Sequence, residues 1–230
     1  MFLYLKSIYF YVLLIFGKLN SREIEFSILD IFLKKNDTFI DVGSNIGRYC
    51  FKASKLIKNK GKIFSFEPLK SIFIIQSNII KLSNLSNIVI FNLALSDKSK
   101  EINFKEIKTF SKKFLLINTL TRSKICNNEN INNYCLNLDV FNFQKVKLIK
   151  IDCEGEEFKI LKGSRITIKK FKPILIVEEN KQKNKYIKFL NNFGYKAIKI
   201  KDSRNLIFVH KKDFNKFKNK LSHKRLNVSF

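Results

Sequence analysis

Apolar positions along this chain alternate between short continuous runs and helical spacings. Residues 24, 28, 29, 32 and 33 are apolar at the period of one helix face, so Ile24 to Leu33 reads as a helix. A turn from Lys34 to Thr38 leads from it into a first strand around Phe39-Ile40. Arg48 to Lys58 reads as the next helix, with Phe51, Leu56 and Ile57 inward, and Ile63-Phe64-Ser65-Phe66 as a second, buried strand. Ser71 to Leu82 follows as a crossover helix and Ile88 to Phe91 as a third strand. Between Ser96 and Asn137 the pattern weakens. Ile102 to Phe104 and Phe114 to Leu120 are candidate short strands there, and Asn127 to Asn133 reads as loop. Such an unpatterned insertion is where substrate-specific structure is expected.

Regular patterning resumes with a fourth strand, Val146 to Ile151, and a helix from Glu156 to Leu161 with Gly163 in a C-cap position. Pro173 to Val177 is a fifth strand, and Lys185 to Phe193 a helix ended by Gly194. Tyr195 to Ile200 and Leu206 to His210 form a last pair, whose short connection requires an antiparallel hairpin. Strands alternating with helices and closed by such a hairpin predict an α/β fold, a doubly wound Rossmann-like sheet that is mostly parallel. The chain divides into an apolar N-terminal helix (1–20), one α/β domain (21–210) and a basic tail (211–230), with no internal repeat.

Phe2 to Gly17 is almost wholly apolar, but its unbroken part, Ile8 to Phe16, falls well short of the roughly 20 residues that span a bilayer. Lys18-Leu19-Asn20 lacks the small residues of a signal-peptide cleavage site. Packing on the domain or on a partner is the favoured reading, with an interfacial helix in peripheral membrane contact through its basic flanks as the second. With 230 residues, 45% of them hydrophobic, one buried α/β core is expected. The formal charge of +26 would suit nucleic acid, acidic glycans or an anionic membrane. The lysines scatter over every expected helix, however, and the 24 Phe fall mostly on apolar faces rather than between basic residues, so a solvated basic surface is the simpler reading. Cys50, Cys126, Cys135 and Cys153 show no Cys-x-x-Cys spacing and no companion His, which points to reduced thiols in a cytoplasmic protein and not to zinc.

The first strand ends in Asp41-Val42-Gly43-Ser44-Asn45-Ile46-Gly47, an acid followed by a glycine turn and then a helix. A parallel strand delivers a nucleoside-bearing cofactor to a helix N-terminus in this way. The dinucleotide fingerprint Gly-x-Gly-x-x-Gly is not met, because Asn45 holds the third place and Arg48 the sixth. A cofactor without a pyrophosphate, whose amino-acid end lies against the turn, fits instead, and S-adenosylmethionine fits best. Glu67 closes the second strand roughly 20 residues beyond the turn, where a carboxylate can accept from both ribose hydroxyls. Pro68 stops the strand there.

The second informative run is Lys150-Ile151-Asp152-Cys153-Glu154-Gly155-Glu156-Glu157. Asp152 ends the fourth strand, beside the first in such sheets, and Glu178 and Glu179 end the fifth on the same rim. Methyl transfer to a hydroxyl needs alignment and a proton acceptor. Crowded carboxylates raise one another's pKa, making Asp152, Glu154 or Glu178 a candidate base, with Lys150 on the same strand face to orient a carboxylate. Glu156 and Glu157 suit the first turn of a helix. An all-oxygen metal site is the lesser reading of this cluster, and no metal is expected.

These segments, together with Phe66-Glu67-Pro68, Ala94-Leu95-Ser96-Asp97, Leu161-Lys162-Gly163, Pro173 with Glu178, and Gly194-Tyr195, resemble FkbM-type methyltransferases over roughly residues 24 to 210. The resemblance implies a class I S-adenosylmethionine-dependent fold and O-methylation of sugar, polyketide or other natural-product hydroxyls. It implies that Asp41 to Gly47 and Glu67 line the cofactor, with Asn92 and Ala94 near the adenine. Ser44 departs from the commoner Ala, and the apolar leader and basic tail lie outside the resemblance. A small-molecule or glycan acceptor is thus the first expectation. An RNA or DNA methyltransferase is the alternative, although the acidic run at the end of the fourth strand would repel phosphates. A non-catalytic binding module is a third, which the complete glycine turn with Glu67 argues against.

Overall fold

A computed structural model describes residues 1–19, 23–58, 60–107, 122–126, 132–224 and 226–229. It begins with helices α1 (Phe2–Ile15), α2 (Ile24–Ser27) and α3 (Leu29–Phe32), then strand β1 (Thr38–Val42), helix α4 (Arg48–Ile57), strand β2 (Lys62–Phe66), helix α5 (Lys70–Leu82) and strand β3 (Ile88–Phe91). Strands β4 (Ala94–Leu95), β5 (Lys100–Ile107), β6 (Arg122–Cys126) and β7 (Asn132–Leu136) follow. The second half holds a 3₁₀ turn (Leu138–Phe141), β8 (Leu148–Ile151), α6 (Glu157–Lys162), α7 (Arg165–Phe171), β9 (Ile174–Glu178), α8 (Lys183–Asn191), β10 (Tyr195–Ile200), β11 (Asn205–His210), α9 (Phe214–His223) and β12 (Val228–Ser229).

Eight strands make one sheet in the order β12-β10-β11-β9-β8-β1-β2-β3. The five from β9 to β3 run parallel, and β11, β10 and β12 close the sheet antiparallel. Strand β1 lies at the centre and is buried at all five positions, as a strand covered on both faces must be. Alternation divides its side chains. Phe39 faces a cluster with Tyr49, Phe32 and Phe217 from α4, α3 and α9, while Ile40 and Val42 face one with Ile160, Tyr186 and Leu190 from α6 and α8. The same parity carries Asp41, Lys150, Asp152 and Glu178 to the α4 side of the sheet. Four strands, in the order β4-β7-β5-β6, form a smaller sheet, three of them inside the region that lacked a pattern and β4 just before it.

Several expectations change in detail. The helix expected over Ile24 to Leu33 is two single turns, because Ile28 leaves helical geometry (φ −103°, ψ 19°) and the Ser27 hydroxyl donates back to the Ile24 carbonyl at 2.7 Å. Gly163 does not close α6 in a left-handed cap, since its φ is −73° and α7 follows almost at once. Glycine stands there because a Cβ would lie 2.0 Å from the Ser96 carbonyl oxygen. Asn132 and Asn133, read as loop, open β7, and the basic tail carries α9 and the short β12. The candidate strand at Phe114 to Leu120 and residues 127–131 of the expected loop lie outside the described residues.

Helix α1 packs on α5. Phe10 and Leu14 join Ile72, Ile75, Ile79, Leu69 and Ile46 in a third apolar cluster, and Asn78 Nδ2 donates to the buried Ser7 hydroxyl at 3.1 Å. Among the described residues no helix is long and apolar enough to cross a membrane.

Candidate active site

The turn after β1 owes its shape to three residues with left-handed backbones: Gly43 (φ 75°), Asn45 (φ 53°) and Gly47 (φ 81°). Two of them are glycines for different reasons. A Cβ on Gly43 would stand 2.0 Å from the Asp152 carbonyl oxygen at the end of β8, whereas one on Gly47 would meet the side-chain amide nitrogen of Gln76 at 2.7 Å. Asn45 tolerates its backbone because its own side-chain oxygen accepts from the Ile46 N–H at 2.8 Å.

Every N–H of the turn donates within the protein. Gly43 and Ser44 give theirs to the Phe66 carbonyl at 3.0 and 3.1 Å, and Gly47 gives its to the Ser44 carbonyl at 3.0 Å. Asn45 N–H goes to Glu67 Oε2 at 2.9 Å. A phosphate-binding loop needs those donors free. This turn holds none in reserve, in agreement with a cofactor that carries no pyrophosphate.

Glu67 is nearly sealed from solvent, and its other oxygen accepts from Leu69 N–H at 2.9 Å. Burial pushes its carboxyl up to about 7, against the lowering effect of those two backbone donors. Asn92 is beside it, donating from Nδ2 to the carbonyls of Glu67 and Pro68 at 2.9 Å each, so its amide fixes the loop that presents the carboxylate. Ala94 begins β4, half-buried.

Asp41 is 1% exposed, and its Oδ1 has no hydrogen-bond partner among the described residues. Its Oδ2 accepts from the Cys50 thiol at 3.2 Å. Burial raises the carboxyl to about 6, with Lys150 acting in the opposite sense. An ordered protein rarely leaves a buried carboxylate oxygen without a donor. The orphaned atom fits a ligand ammonium, such as the one at the amino-acid end of S-adenosylmethionine.

Beneath the turn lies a polar network that sequence reading missed. Gln76 of α5 is fully buried; its Nε2 donates to Ser65 Oγ at 2.7 Å and its Oε1 accepts from Ser44 Oγ at 3.2 Å. It ties α5, β2 and the turn together.

Across β1, Lys150 pairs in register with Asp41, and its ammonium lies 2.7 Å from Asp152 Oδ2 and 4.7 Å from the centre of the Tyr49 ring. Burial works against this charge, but Asp152, Asp41 and Glu23 together raise its pKa, so it remains a cation. Asp152 and Glu178 each lie one position beyond the last pair of the β8–β9 ladder, Ile151 with Val177, and Glu178 itself ends β9 opposite Asn205 of β11. Their carboxyls are hydrogen-bonded, and they divide rather than both rising. Burial would lift Asp152, yet Lys150 beside it and the Glu178 proton hold it low. Glu178 goes up to about 8, through burial first and then the charge of Asp152. Burial first, and then the charge of Asp152, thus make Glu178 the raised carboxyl of the pair, while Asp152 is held low.

Glu154 is exposed with a left-handed backbone (φ 50°) and adds to the field at Glu178. Glu156 occupies the cap position of α6 and pairs with Lys159 at 2.9 Å. Glu157 does more than stabilise a helix start. It is fully buried, accepts from the N–H groups of Cys153 and Gly155 at 2.9 and 3.2 Å, and is bonded to the Asn180 amide. It therefore shapes the loop that carries Asp152 and Glu154. Glu179, on the same rim, is turned toward Lys183 and Lys199. Among the described residues no group of three or more His, Cys, Asp or Glu is placed to hold a metal ion.

Residues 41–197 match the family described as the FkbM methyltransferase domain. The chain belongs to the FkbM methyltransferase family. An FkbM domain is an S-adenosylmethionine-dependent methyltransferase, and the fold agrees. The crystal structure of an FkbM methyltransferase from Methylobacillus flagellatus superposes with a TM-score of 0.56 at 15% identity, covering 77% of this chain and 44% of that one. The present chain therefore spans less than half the length of that relative. A putative rRNA methylase from Clostridium thermocellum gives a TM-score of 0.51 at 12% identity over 79% of this chain and 89% of that one. An rRNA methylase from Streptococcus thermophilus gives 0.51 at 9% identity over 82% and 95%. At these identities the likeness is one of fold. No curated protein matches the sequence.

Two further groups of this FkbM domain left a trace in the sequence. Gln76, an uncharged polar residue on the apolar face of a helix, had to find partners. Glu157, two residues after Gly155, was placed at a helix start, and only the observed loop shows that it faces inward.

Proposed function

We propose that this FkbM domain transfers a methyl group to a hydroxyl of a sugar, glycan or other small natural-product acceptor, with Glu178 as the proton acceptor. The observation that carries this is the Glu178–Asp152–Lys150 row at the strand ends, in which one carboxyl is raised to about 8 while its neighbour stays ionised. Bound S-adenosylmethionine supplies an electrophilic methyl group. Asp41 would hold its ammonium, Glu67 its ribose hydroxyls, and the turn from Gly43 to Gly47 its amino-acid end, with Asn92 and Ala94 flanking the adenine. Ser44 and Asn45 shape that turn. Lys150 keeps Asp152 ionised, Asp152 holds the Glu178 proton, and Glu178 takes the acceptor's proton once it has lost its own. Glu154 contributes charge at the rim. Cys50, Cys135 and Cys153 are free thiols, which suits a cytoplasmic enzyme.

Calorimetry with S-adenosylmethionine tests the cofactor half. Glu67→Ala should weaken binding at least about tenfold, the scale of one lost charge-assisted hydrogen bond, and NAD should not bind. Equal affinity in the variant would remove Glu67 from the site. Asp41 and Glu67 are both raised by burial, to about 6 and about 7. A ligand that donates to them favours their ionised forms, so affinity should rise from pH 5.5 to 8 with release of protons.

The base has its own signature. With a group near 8 that must be ionised, kcat/KM should climb with pH and level off above about 8. Glu178→Gln should lower kcat at least about 100-fold and flatten the climb. A variant that keeps the wild-type profile would exclude Glu178 as the base. A turnover screen over sugar nucleotides and RNA identifies the acceptor class. The formal charge of +26 is what favours nucleic acid, and methylated RNA with inert sugars would overturn the proposal.

A further inference from the structure

Helix α1 is apolar on both sides, but only one side is used. Phe10, Leu14 and Ser7 face α5, while Phe2, Tyr4, Leu5, Val12, Ile15 and Phe16 lie exposed on the opposite side, Phe2 at 63% and Phe16 at 72%. A helix hydrophobic all round is ordinarily buried all round, and a contiguous exposed apolar face marks an interaction surface. No charged residue interrupts that face. Lys6 sits to its side with its ammonium over the Phe2 ring, and Lys18 follows the helix.

Helix α1 and the segment on which it rests carry charge of one sign. Residues 1–19 contain no Asp or Glu, and neither do residues 68–96, which include α5 on which α1 rests. The charged side chains of these two segments are Lys6, Lys18, Lys70 and Lys81. An apolar strip with Lys6 at its side and Lys18 at its end, in segments whose only charged residues are lysines, complements one kind of surface, the headgroup layer of an anionic bilayer. The strip also carries Tyr4, a residue type enriched at that depth. A 14-residue helix is only about 21 Å long, against about 30 Å of hydrocarbon, so α1 would lie on the bilayer and not cross it.

We propose that the outward face of α1 docks this protein on anionic membrane surfaces, with α5 and the domain behind it taking the place of the polar side of an ordinary interfacial helix. The seat of α1 gives the docking a consequence. Its inner face shares a cluster with Ile46 of the glycine turn and Leu69, whose N–H binds Glu67. The candidate cofactor site therefore lies directly behind the docked helix. Docking through α1 would thus bring that side of the domain to acceptor hydroxyls displayed at the membrane surface. That consequence rests on the methyl-transfer reading; the docking itself does not.

Flotation of the full chain with phosphatidylglycerol–phosphatidylcholine vesicles and with pure phosphatidylcholine vesicles separates the outcomes, because it needs no turnover. Binding to the anionic vesicles is expected, at least tenfold weaker on phosphatidylcholine alone and weakened again by high salt. The double variant Leu5→Ser/Phe16→Ser should lose at least tenfold in vesicle binding while keeping its unfolding temperature, since both side chains are exposed. Absence of vesicle binding by the intact protein, or equal binding by the double variant, would overturn the proposal. So would a wild-type dimer that the double variant dissolves without any vesicle binding, because the face would then belong to a second copy of the chain.

Discussion

Replacing Gly43 by alanine should destabilise the domain by at least about 4 kcal/mol and abolish measurable cofactor binding. Two costs add. A non-glycine residue at φ 75° loses about 1–2 kcal/mol from its backbone alone. The added Cβ would also stand 2.0 Å from the Asp152 carbonyl oxygen. No rotamer change relieves that overlap, because the obstacle is backbone at the end of β8, and β8 is hydrogen-bonded to β1 along its length. Either the turn or the end of β8 must move, and the turn carries the Asn45 N–H that holds Glu67. At about 2–4 °C per kcal/mol for a chain of this size, the unfolding temperature should fall by about 8 °C or more. Gly47→Ala is the control. Its φ is equally left-handed, but its Cβ meets a side-chain amide at 2.7 Å that can turn away at the cost of weakening the bond it donates to Ser65 and the one it accepts from Ser44. About half the loss is expected there. Denaturant unfolding of both variants compares them, and equal losses would show that backbone conformation, not the contact with β8, sets the need for Gly43.

The contrast between these glycines also shows where sequence reading stops. The turn was legible because an acid, two glycines four residues apart and a following helical period occur together in one short segment. Glu67 was legible because its distance from the turn is fixed by one helix and one strand. The mostly parallel sheet followed from the alternation of strands and helices, and the hairpin from the shortness of residues 201–205. None of these depends on a partner far away in the sequence. The contact that makes Gly43 irreplaceable lies over a hundred residues off, and nothing near Gly43 announces it. The same holds for Gly163 against Ser96, which looked like a helix cap. Gln76, 32 residues from Ser44, carried only the hint of a polar residue on an apolar face. Acid–base character was the least legible property. Asp152 and Glu178 were correctly brought to one rim, yet which of them is raised depends on which one Lys150 touches. That is a matter of ångströms and not of spacing.

Lys150→Met should cost about 3–5 kcal/mol at pH 8 and clearly less at pH 5. The side chain is 4% exposed and neutralises Asp152 at 2.7 Å, with Asp41 opposite it on the neighbouring strand. Removing one partner of a buried ionic group leaves uncompensated charge, which costs far more than the intact group contributes. The remaining acids can escape that cost by taking up protons. Asp41 already stands near 6 with Lys150 lowering it, so without the lysine it rises further, and Asp152 loses the contact that holds it low. Both would then have folded pKa values above their unfolded ones, near 3.9. For such groups the native state binds more protons than the unfolded state across the intervening range. Stability is therefore present at low pH and drains away as pH rises through the folded values. The difference between wild type and variant should widen steadily from pH 5 to pH 8. Adding Asp152→Asn should recover part of it by removing one of the two stranded charges, at the expense of the partner that holds the Glu178 proton. Chemical denaturation at a series of pH values reads this out. A loss that is the same at every pH would mean that Lys150 acts by filling space against Tyr49, and that the divided carboxyl pair does not depend on its charge.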